Sequence, residues 1–231
     1  MNRIIISPPF SNLFCFYKDV TKILGTYTLN RRSGLWRVIT TLRRVKGGWI
    51  NNVGLRNPGV NKAPNKAVII SIAELEVGDF DKILDILSKK DKLLGVEFNI
   101  SCPNADVSNV DKSILNKAKA LFDYVIVKLP HHCSKADLLR YVDMGFEYVH
   151  ISNTKKTNKG ALSGEELIEN NLRKIKYLRH MRPGVKIIGG GGIYNNLNLA
   201  RYYFNGANYF SLSTVLLNPF KTYKIIKANK W

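Results

Sequence analysis

The sequence predicts a single α/β domain, residues 1–231, in which eight strand–helix units close into a barrel. Eight short runs rich in Val, Ile, Tyr and Phe recur along the chain, as expected for parallel strands buried on both faces. Helix-length segments of mixed apolar and charged residues separate most of these runs. Eight such repeats predict a (β/α)8 TIM barrel. A doubly wound sheet is the alternative, but it does not need eight strands.

The predicted elements follow one another in regular order. The strands are expected at Arg3–Ser7, Ile23–Thr28, Val68–Ala73, Gly95–Ile100, Tyr124–Leu129, Tyr148–Ser152, Lys186–Gly189 and Asn208–Ser213. The helices are expected at Asp79–Lys90, Asp111–Leu121, Lys135–Met144, Glu165–Met181, Asn195–Phe204 and Leu216–Lys227. Ser134 and Ser163 stand where the N-caps of the third and fourth helices would lie.

One segment breaks this order. Residues Leu29–Lys66 are long, basic and rich in Gly and Asn. They predict a basic β-ribbon and loop insertion after strand two, lying over the mouth of the barrel.

The formal net charge of +19 is spread unevenly. Residues 20–73 contain ten Lys and Arg, residues 170–231 contain eleven, and neither segment contains an acid. Because strand eight neighbours strand one in a closed barrel, we predict one strongly basic side. This side could contact a polyanion or a nucleic acid, or it could be a solvated surface that adds local charge for a bound phosphate.

The remaining composition favours a cytoplasmic protein. No apolar run reaches 18 residues, so no membrane contact is expected, and the N-terminal apolar patch is too short for a signal peptide. The three cysteines, Cys15, Cys102 and Cys133, are odd in number and widely spaced, which favours a reducing compartment. No metal-type spacing is present, so no metal is expected.

Polar side chains collect where the predicted strands end. The hexapeptide Asn99–Asn104 (NISCPN) places amides, a hydroxyl and a thiol after strand four. Lys128 ends strand five, and Ser152–Thr154 ends strand six. The carboxyl ends of barrel strands are where such folds carry their chemistry.

A phosphate site is predicted after strands seven and eight. The four glycines Gly189–Gly192 allow backbone N–H groups to approach an anion closely, and a helix begins after them. Ser213 and Thr214 add hydroxyl and amide donors. The other reading is a glycine turn needed only for tight packing.

At these positions the sequence resembles the dihydroorotate dehydrogenase family. The motifs fall in the family's order and together cover most of the chain, from about Thr26 to Asn218. They are Asn51–Gly59 (NNVGLRNPG), Asn99–Asn104 (NISCPN), Val127–Leu129 (VKL), Ser152–Thr154 (SNT), Ser163–Gly164 and Ile187–Ile193 (IIGGGGI). The cysteine in SCPN is similar to the cysteine that the soluble class 1 enzymes of the family have at this position.

The resemblance implies an FMN-dependent oxidoreductase of pyrimidine biosynthesis that oxidises dihydroorotate to orotate. A base takes a proton from one ring carbon, a hydride passes from the neighbouring carbon to FMN, and a second substrate then accepts the electrons. The implied partners are a small pyrimidine and an electron acceptor, and a homodimer is left open.

The resemblance also implies site residues, and Cys102 matches the base. The residues implied for the pyrimidine are Asn51, Asn99, Asn104, Asn153 and Thr154. Those implied for FMN are Thr26, Asn99, Lys128, Ser163, Gly164, Gly191, Gly192, Ser213 and Thr214. Lys128 matches the lysine beside the flavin ring, where a cation stabilises the reduced form.

Two departures from the family pattern stand out. Gly25 aligns with the position of a family lysine near flavin and substrate, for which Lys22, Arg31 or Arg32 could substitute. Ser7-Pro8-Pro9 replaces the family's Ala-Ser-Gly. Two alternatives therefore stay open: a degenerate, non-catalytic flavin- or pyrimidine-binding barrel, and an RNA-directed reductase similar to dihydrouridine synthases, which the net charge motivates.

Overall fold

The computed structural model describes residues 1–34, 41–52, 54–100 and 110–229. The strands are β1 (Ile4–Ile6), β2 (Thr21–Tyr27), β3 (Arg43–Val45), β4 (Gly48–Asn51), β5 (Ile69–Ile72), β6 (Gly95–Asn99), β7 (Tyr124–Lys128), β8 (Tyr148–Ile151), β9 (Lys155–Thr157), β10 (Gly160–Gly164), β11 (Lys186–Gly190) and β12 (Tyr209–Leu212). The α-helices are α1 (Asp79–Leu87), α2 (Lys112–Leu121), α3 (Lys135–Met144), α4 (Ile168–Met181), α5 (Asn196–Phe204) and α6 (Pro219–Ala228).

Eight parallel strands close into a barrel in the order β1-β12-β11-β8-β7-β6-β5-β2. The closing pair is β1 and β12, with Ile5 opposite Ser211. This confirms the predicted (β/α)8 barrel. It also brings the two acid-free segments to the two sides of β1, because β12 and β2 both pair with that strand. The basic side itself stays a prediction.

The strands face two apolar environments. Side chains that point outward, such as Val96, Phe98 and Val127, pack with the helices in one continuous core. Side chains that point inward form a second cluster of fully buried isoleucines. We call this cluster the isoleucine layer: Ile5, Ile23, Ile69, Ile126 and Ile188. Both faces of each strand are thus buried, which explains why the runs read as almost continuously apolar.

The predicted N-caps have different outcomes. Ser134 caps α3, accepting a hydrogen bond from the N–H of Asp137 at 3.1 Å, while the Asp137 carboxylate accepts from the N–H of Ser134 at 2.9 Å. The prediction for Ser163 was wrong. Ser163 lies inside β10, and its hydroxyl donates to the carbonyl oxygen of Trp49 at 3.2 Å. Its polar character serves a strand pair rather than a helix start.

A second sheet, ordered β3-β4-β10-β9, lies outside the barrel. Its β3–β4 ribbon comes from the predicted insertion after strand two. Its β9–β10 hairpin follows β8 and pairs with that ribbon, with Leu162 opposite Ile50. The insertion is therefore joined by a second hairpin that the sequence pattern did not indicate. Across the described ranges, no helix has the length and apolar character needed to cross a membrane.

Candidate functional site

A pocket of about 720 Å³ opens at the carboxyl ends of the barrel strands, and both sheets contribute to its wall. That volume suits a small molecule or cofactor. The predicted site residues that line it are Thr26, Asn51, Asn99, Lys128, Asn153, Thr154, Ser163, Gly191, Gly192, Ser213 and Thr214. Gly164 lies against the pocket wall, because a Cβ at Gly192 would meet the Gly164 carbonyl oxygen at 2.6 Å. Cys102 and Asn104 lie outside the described residues.

Three amide side chains are anchored around the pocket. Asn51 Nδ2 donates to the carbonyl oxygen of Ala161 at 3.5 Å, which ties the ribbon to the second hairpin. Asn153 Nδ2 donates to the carbonyl oxygen of Leu129 at 3.2 Å. Asn99 Nδ2 donates to Thr26 Oγ1 at 3.0 Å. Each amide comes from a different element, so the fold fixes their mutual positions.

A hydrogen-bond chain leads from the pocket into the barrel. Asn99 donates to Thr26, Thr26 Oγ1 and Ser71 Oγ lie 3.1 Å apart, and Ser71 Oγ donates to Glu97 Oε1 at 2.8 Å. His150 Nδ1 reaches the other carboxylate oxygen, Oε2, at 2.6 Å. Because the hydroxyl proton of Ser71 is donated to the carboxylate, Ser71 can only accept from Thr26, and Thr26 is the donor of that hydrogen bond. Every donor in the chain therefore points toward Glu97.

Glu97 is ionised although it is completely buried. Burial by itself raises its pKa, but the positive charge of Lys128 and the hydrogen bonds from His150 and Ser71 lower the pKa below its usual range. Burial lowers the pKa of His150, the Glu97 carboxylate raises it, and the positive charge of Lys128 lowers it again, so that the net direction is downward. We therefore assign a neutral imidazole that donates through Nδ1–H. Among the described residues its Nε2 has no hydrogen-bond partner.

The glycine turn after β11 is held open by a buried tyrosine. Gly191 and Gly192 have φ values of +86° and +80°, which favour glycine. Tyr202 Oη donates to the carbonyl oxygens of Gly190 and Gly191 at 2.6 and 2.7 Å. Within the described part of the chain, the N–H groups of Gly191 and Gly192 make no hydrogen bond. Two backbone donors are thus available to an anion in the pocket.

The family's lysine position is closed to side chains. Gly25 has φ +124°, and a Cβ there would lie 2.5 Å from the carbonyl oxygen of Ser71. Asn12 clamps the same residue by donating to its carbonyl oxygen at 2.5 Å and accepting from its N–H at 2.9 Å. Of the three substitutes considered, Lys22, Arg31 and Arg32, Arg32 lines the pocket.

The described pocket lining is strongly cationic. It contains no Asp or Glu, and its basic residues are Arg32, Arg56, Lys128, Lys156 and Lys159. Arg32 and Arg56 come from the insertion, which was predicted to be basic and to lie over the barrel mouth. Lys156 and Lys159 come from the β9–β10 hairpin, which the sequence pattern did not indicate. His131 and His132 also line the pocket.

Comparison with known proteins places this barrel among related chains. A family model described as dihydroorotate dehydrogenase matches residues 19–229. The catalytic subunit of dihydroorotate dehydrogenase B (NAD(+)) from Bacteroides fragilis is 25% identical, over 92% of this chain and 82% of that protein. The corresponding subunit from Brachyspira hyodysenteriae is 26% identical, over 95% and 84%. Dihydroorotate dehydrogenase A (fumarate) from Lactiplantibacillus plantarum is 24% identical, over 73% and 67%.

A solved structure shares the fold. The crystal structure of DHODH from Eimeria tenella, in complex with ferulenol, superposes with a TM-score of 0.77 at 14% identity. The match covers 97% of this chain and 79% of that one. At this identity the likeness supports the barrel fold alone.

Proposed function

Because the chain belongs to the dihydroorotate dehydrogenase family, we propose that it is an FMN-dependent oxidoreductase that converts dihydroorotate to orotate. The observation that carries the proposal is the composition of the pocket. Three anchored amides, a lysine and a glycine turn meet at the carboxyl ends of the strands, in a described lining without acids. Such a lining suits two anionic ligands, a phosphorylated cofactor and a carboxylate-bearing pyrimidine.

The described residues fit FMN. The N–H groups of Gly191 and Gly192 would hold the phosphate, together with Ser213 and Thr214 from the end of β12. The ring would lie beside Lys128, within reach of Thr26, Asn99, Ser163 and Gly164. FMN, when bound, supplies the acceptor for two electrons. Lys128 supplies positive charge where the reduced ring becomes more negative.

The amides suit the pyrimidine. Asn51, Asn99, Asn104 and Asn153, together with Thr154, can pair with the alternating C=O and N–H groups of its ring edge, because each amide both donates and accepts. Oxidation removes a proton from one ring carbon and a hydride from its neighbour. We assign the proton to the thiolate of Cys102, which serves as a base when its pKa lies near the working pH. The electron pair leaves with the hydride to FMN.

An anaerobic titration of FMN-loaded protein with dihydroorotate, followed in the visible spectrum, tests this proposal. We expect dihydroorotate to bleach the flavin absorbance. The Cys102→Ala variant should keep FMN and lose the bleaching, whereas Cys15→Ala, a control thiol, should bleach like the wild type. Protein that stays colourless when FMN is added excludes the cofactor. Bleaching by the Cys102→Ala variant at the wild-type rate excludes the assigned base.

A second candidate function is a non-catalytic flavin- or pyrimidine-binding barrel. Gly25 favours it, because the backbone excludes a side chain where the family pattern has a lysine. This candidate predicts that FMN and orotate bind while dihydroorotate leaves the flavin oxidised. The same titration separates the two functions.

A further inference from the structure

A buried charge lies directly beneath the pocket. Glu97, on β6, and His150, on β8, are both 0% exposed. Lys128, on β7 between them, is 7% exposed and lines the pocket. Lys128 pairs in register with Asn99 on one side and with His150 on the other. Three neighbouring strands thus bring an acid, a base and an imidazole together below the site.

A carboxylate in such a place needs more than hydrogen bonds. An ionised group buried away from water is costly unless an opposite charge compensates it. Ser71, from β5, and His150, from β8, supply one neutral donor each. Among the described residues, the positive charge that faces Glu97 and favours its ionised form is that of Lys128, from β7. The pair has no net charge, although only the lysine reaches the pocket.

We propose that Glu97 is the counter-ion of Lys128, and that this pair sets how strongly the pocket floor favours an anion. Glu97 is not a catalytic residue, because it does not reach the pocket. It acts through the charge of Lys128, while Ser71 and His150 hold it in place. The inference rests on the proposed function in one respect: the anion at the floor is taken to be FMN, which becomes more negative on reduction.

The flavin-dependent test compares the affinities for reduced and oxidised FMN. In Glu97→Gln the lysine loses its counter-charge, so the floor should favour reduced FMN more strongly. We expect the ratio of the two affinities to rise about tenfold, a shift of about +30 mV for a two-electron couple. Lys128→Met should move the ratio in the opposite direction. His150→Asn, which keeps a donor for Glu97, should lie nearer the wild-type ratio than His150→Leu.

The control is Ile126→Val. Ile126 lies opposite Glu97 in the register of β6 and β7, and it is equally buried. Its substitution disturbs the same interior without changing a charge, so the affinity ratio should stay at the wild-type value. If Glu97→Gln also leaves the ratio unchanged, or lowers it, the counter-ion role is overturned.

A second measurement needs no flavin. The melting temperature is compared among FMN-free wild-type protein, Lys128→Met, Glu97→Gln and the double variant. Lys128→Met leaves the buried carboxylate unbalanced and should melt lowest, and adding Glu97→Gln should restore part of the loss. Strict additivity of the two single effects, which is the behaviour of uncoupled residues, contradicts the proposal. Protein that binds no FMN but shows the restoration refutes the proposed function and keeps the counter-ion pair.

Discussion

Two layers of side chains inside one barrel follow opposite rules. In five strands, a residue of the isoleucine layer is followed two positions later by a small or polar residue on the same inward face. These upper residues are Ser7, Gly25, Ser71, Lys128 and Gly190, and with Glu97 and His150 we call them the polar layer. Each of these upper residues is the next inward-facing residue of its strand, closer to the carboxyl end. Apolar packing therefore gives way to polar pairing over about 7 Å, two residues of strand rise.

The two layers have different roles: the isoleucine layer stabilises the barrel, and the polar layer shapes the pocket. Isoleucines fill the interior and stabilise it by dispersion and the hydrophobic effect, each contributing about 1.5–3 kcal/mol. In the polar layer, Gly25 and Gly190 have no side chain and leave room for the neighbouring backbone, and Glu97 and Lys128 carry charges. The hydroxyl groups of this layer find hydrogen-bond partners inside the barrel, as Ser7 Oγ does with Ser211 Oγ of β12 at 2.7 Å. A change in the lower layer should cost stability, whereas a change in the upper layer should also alter the pocket.

Gly25→Lys is the largest expected perturbation of the polar layer. The new Cβ would meet the Ser71 carbonyl oxygen at 2.5 Å on a backbone with φ +124°. Overpacking and backbone strain together should cost about 2–6 kcal/mol. Differential scanning calorimetry should show the melting temperature falling by about 2–4 °C per kcal/mol.

The control for this change is Gly54→Lys. Gly54 also has positive φ, at +65°, but a Cβ there meets nothing within 4 Å of the described structure. It should cost only the backbone strain. A Gly25→Lys protein that melts no lower than this control would show that the upper layer has room for the family's lysine.

Ile126→Ala perturbs the lower layer instead. Removing three carbons from a site with 0% exposure should cost about 2–5 kcal/mol through lost burial and a cavity. Urea unfolding should show a lower midpoint with an unchanged slope. FMN affinity of the folded fraction should stay within about threefold of wild type, since Ile126 is not among the residues that line the pocket and its substitution changes no charge. A larger loss of FMN would mean that the two layers do not act separately.

The sequence predicted the lower layer much better than the upper one. Runs such as Ile69–Ile72 and Tyr124–Lys128 are β-branched and aromatic, so the local pattern alone identified all eight barrel strands. The N-cap at Ser134 could also be predicted from the local sequence, because its partner Asp137 lies three residues away. Because all strands of a closed parallel barrel end at the same mouth, the polar residues at the strand ends could be predicted to lie together there.

The features that sequence reasoning missed depend on distant partners. Glu97 and His150 are 53 residues apart, and nothing in either run indicates the other. A charged residue inside an otherwise buried strand was the available signal, because such a charge requires compensation. The β9–β10 hairpin is short and mostly polar, and it is stabilised by pairing with a ribbon more than a hundred residues earlier. Neither partner can be read from local periodicity.

Ser71→Ala should have a moderate effect in the polar layer. It removes one of the two donors to the Glu97 carboxylate and leaves Thr26 without its acceptor. Hydrogen bonds to charged groups contribute about 1.5–3 kcal/mol, so a loss of about 2 kcal/mol is expected. Chemical denaturation at neutral pH measures it. Ser88→Ala is the matched control: that hydroxyl is exposed, donates to the carbonyl oxygen of Asp85, and should cost less than 1 kcal/mol.

The last expected effect is a change of stability with pH that Glu97 alone contributes. Its pKa is about 2 in the folded protein against a usual value of 4.5. A lowered pKa means that the unfolded chain binds the proton first, so Glu97 stabilises the fold above about pH 4.5 and loses that contribution as pH falls toward 2. The difference in melting temperature between wild type and Glu97→Gln should therefore be largest at neutral pH and shrink steadily below pH 4.5. Asp143→Asn, at an exposed ion pair with Arg182, serves as the control for a surface carboxylate, whose measurable contribution is small. A difference that stays constant down to pH 2.5 would show that Glu97 is not ionised in the folded barrel, and the polar layer would then be a set of neutral hydrogen bonds rather than a balanced charge.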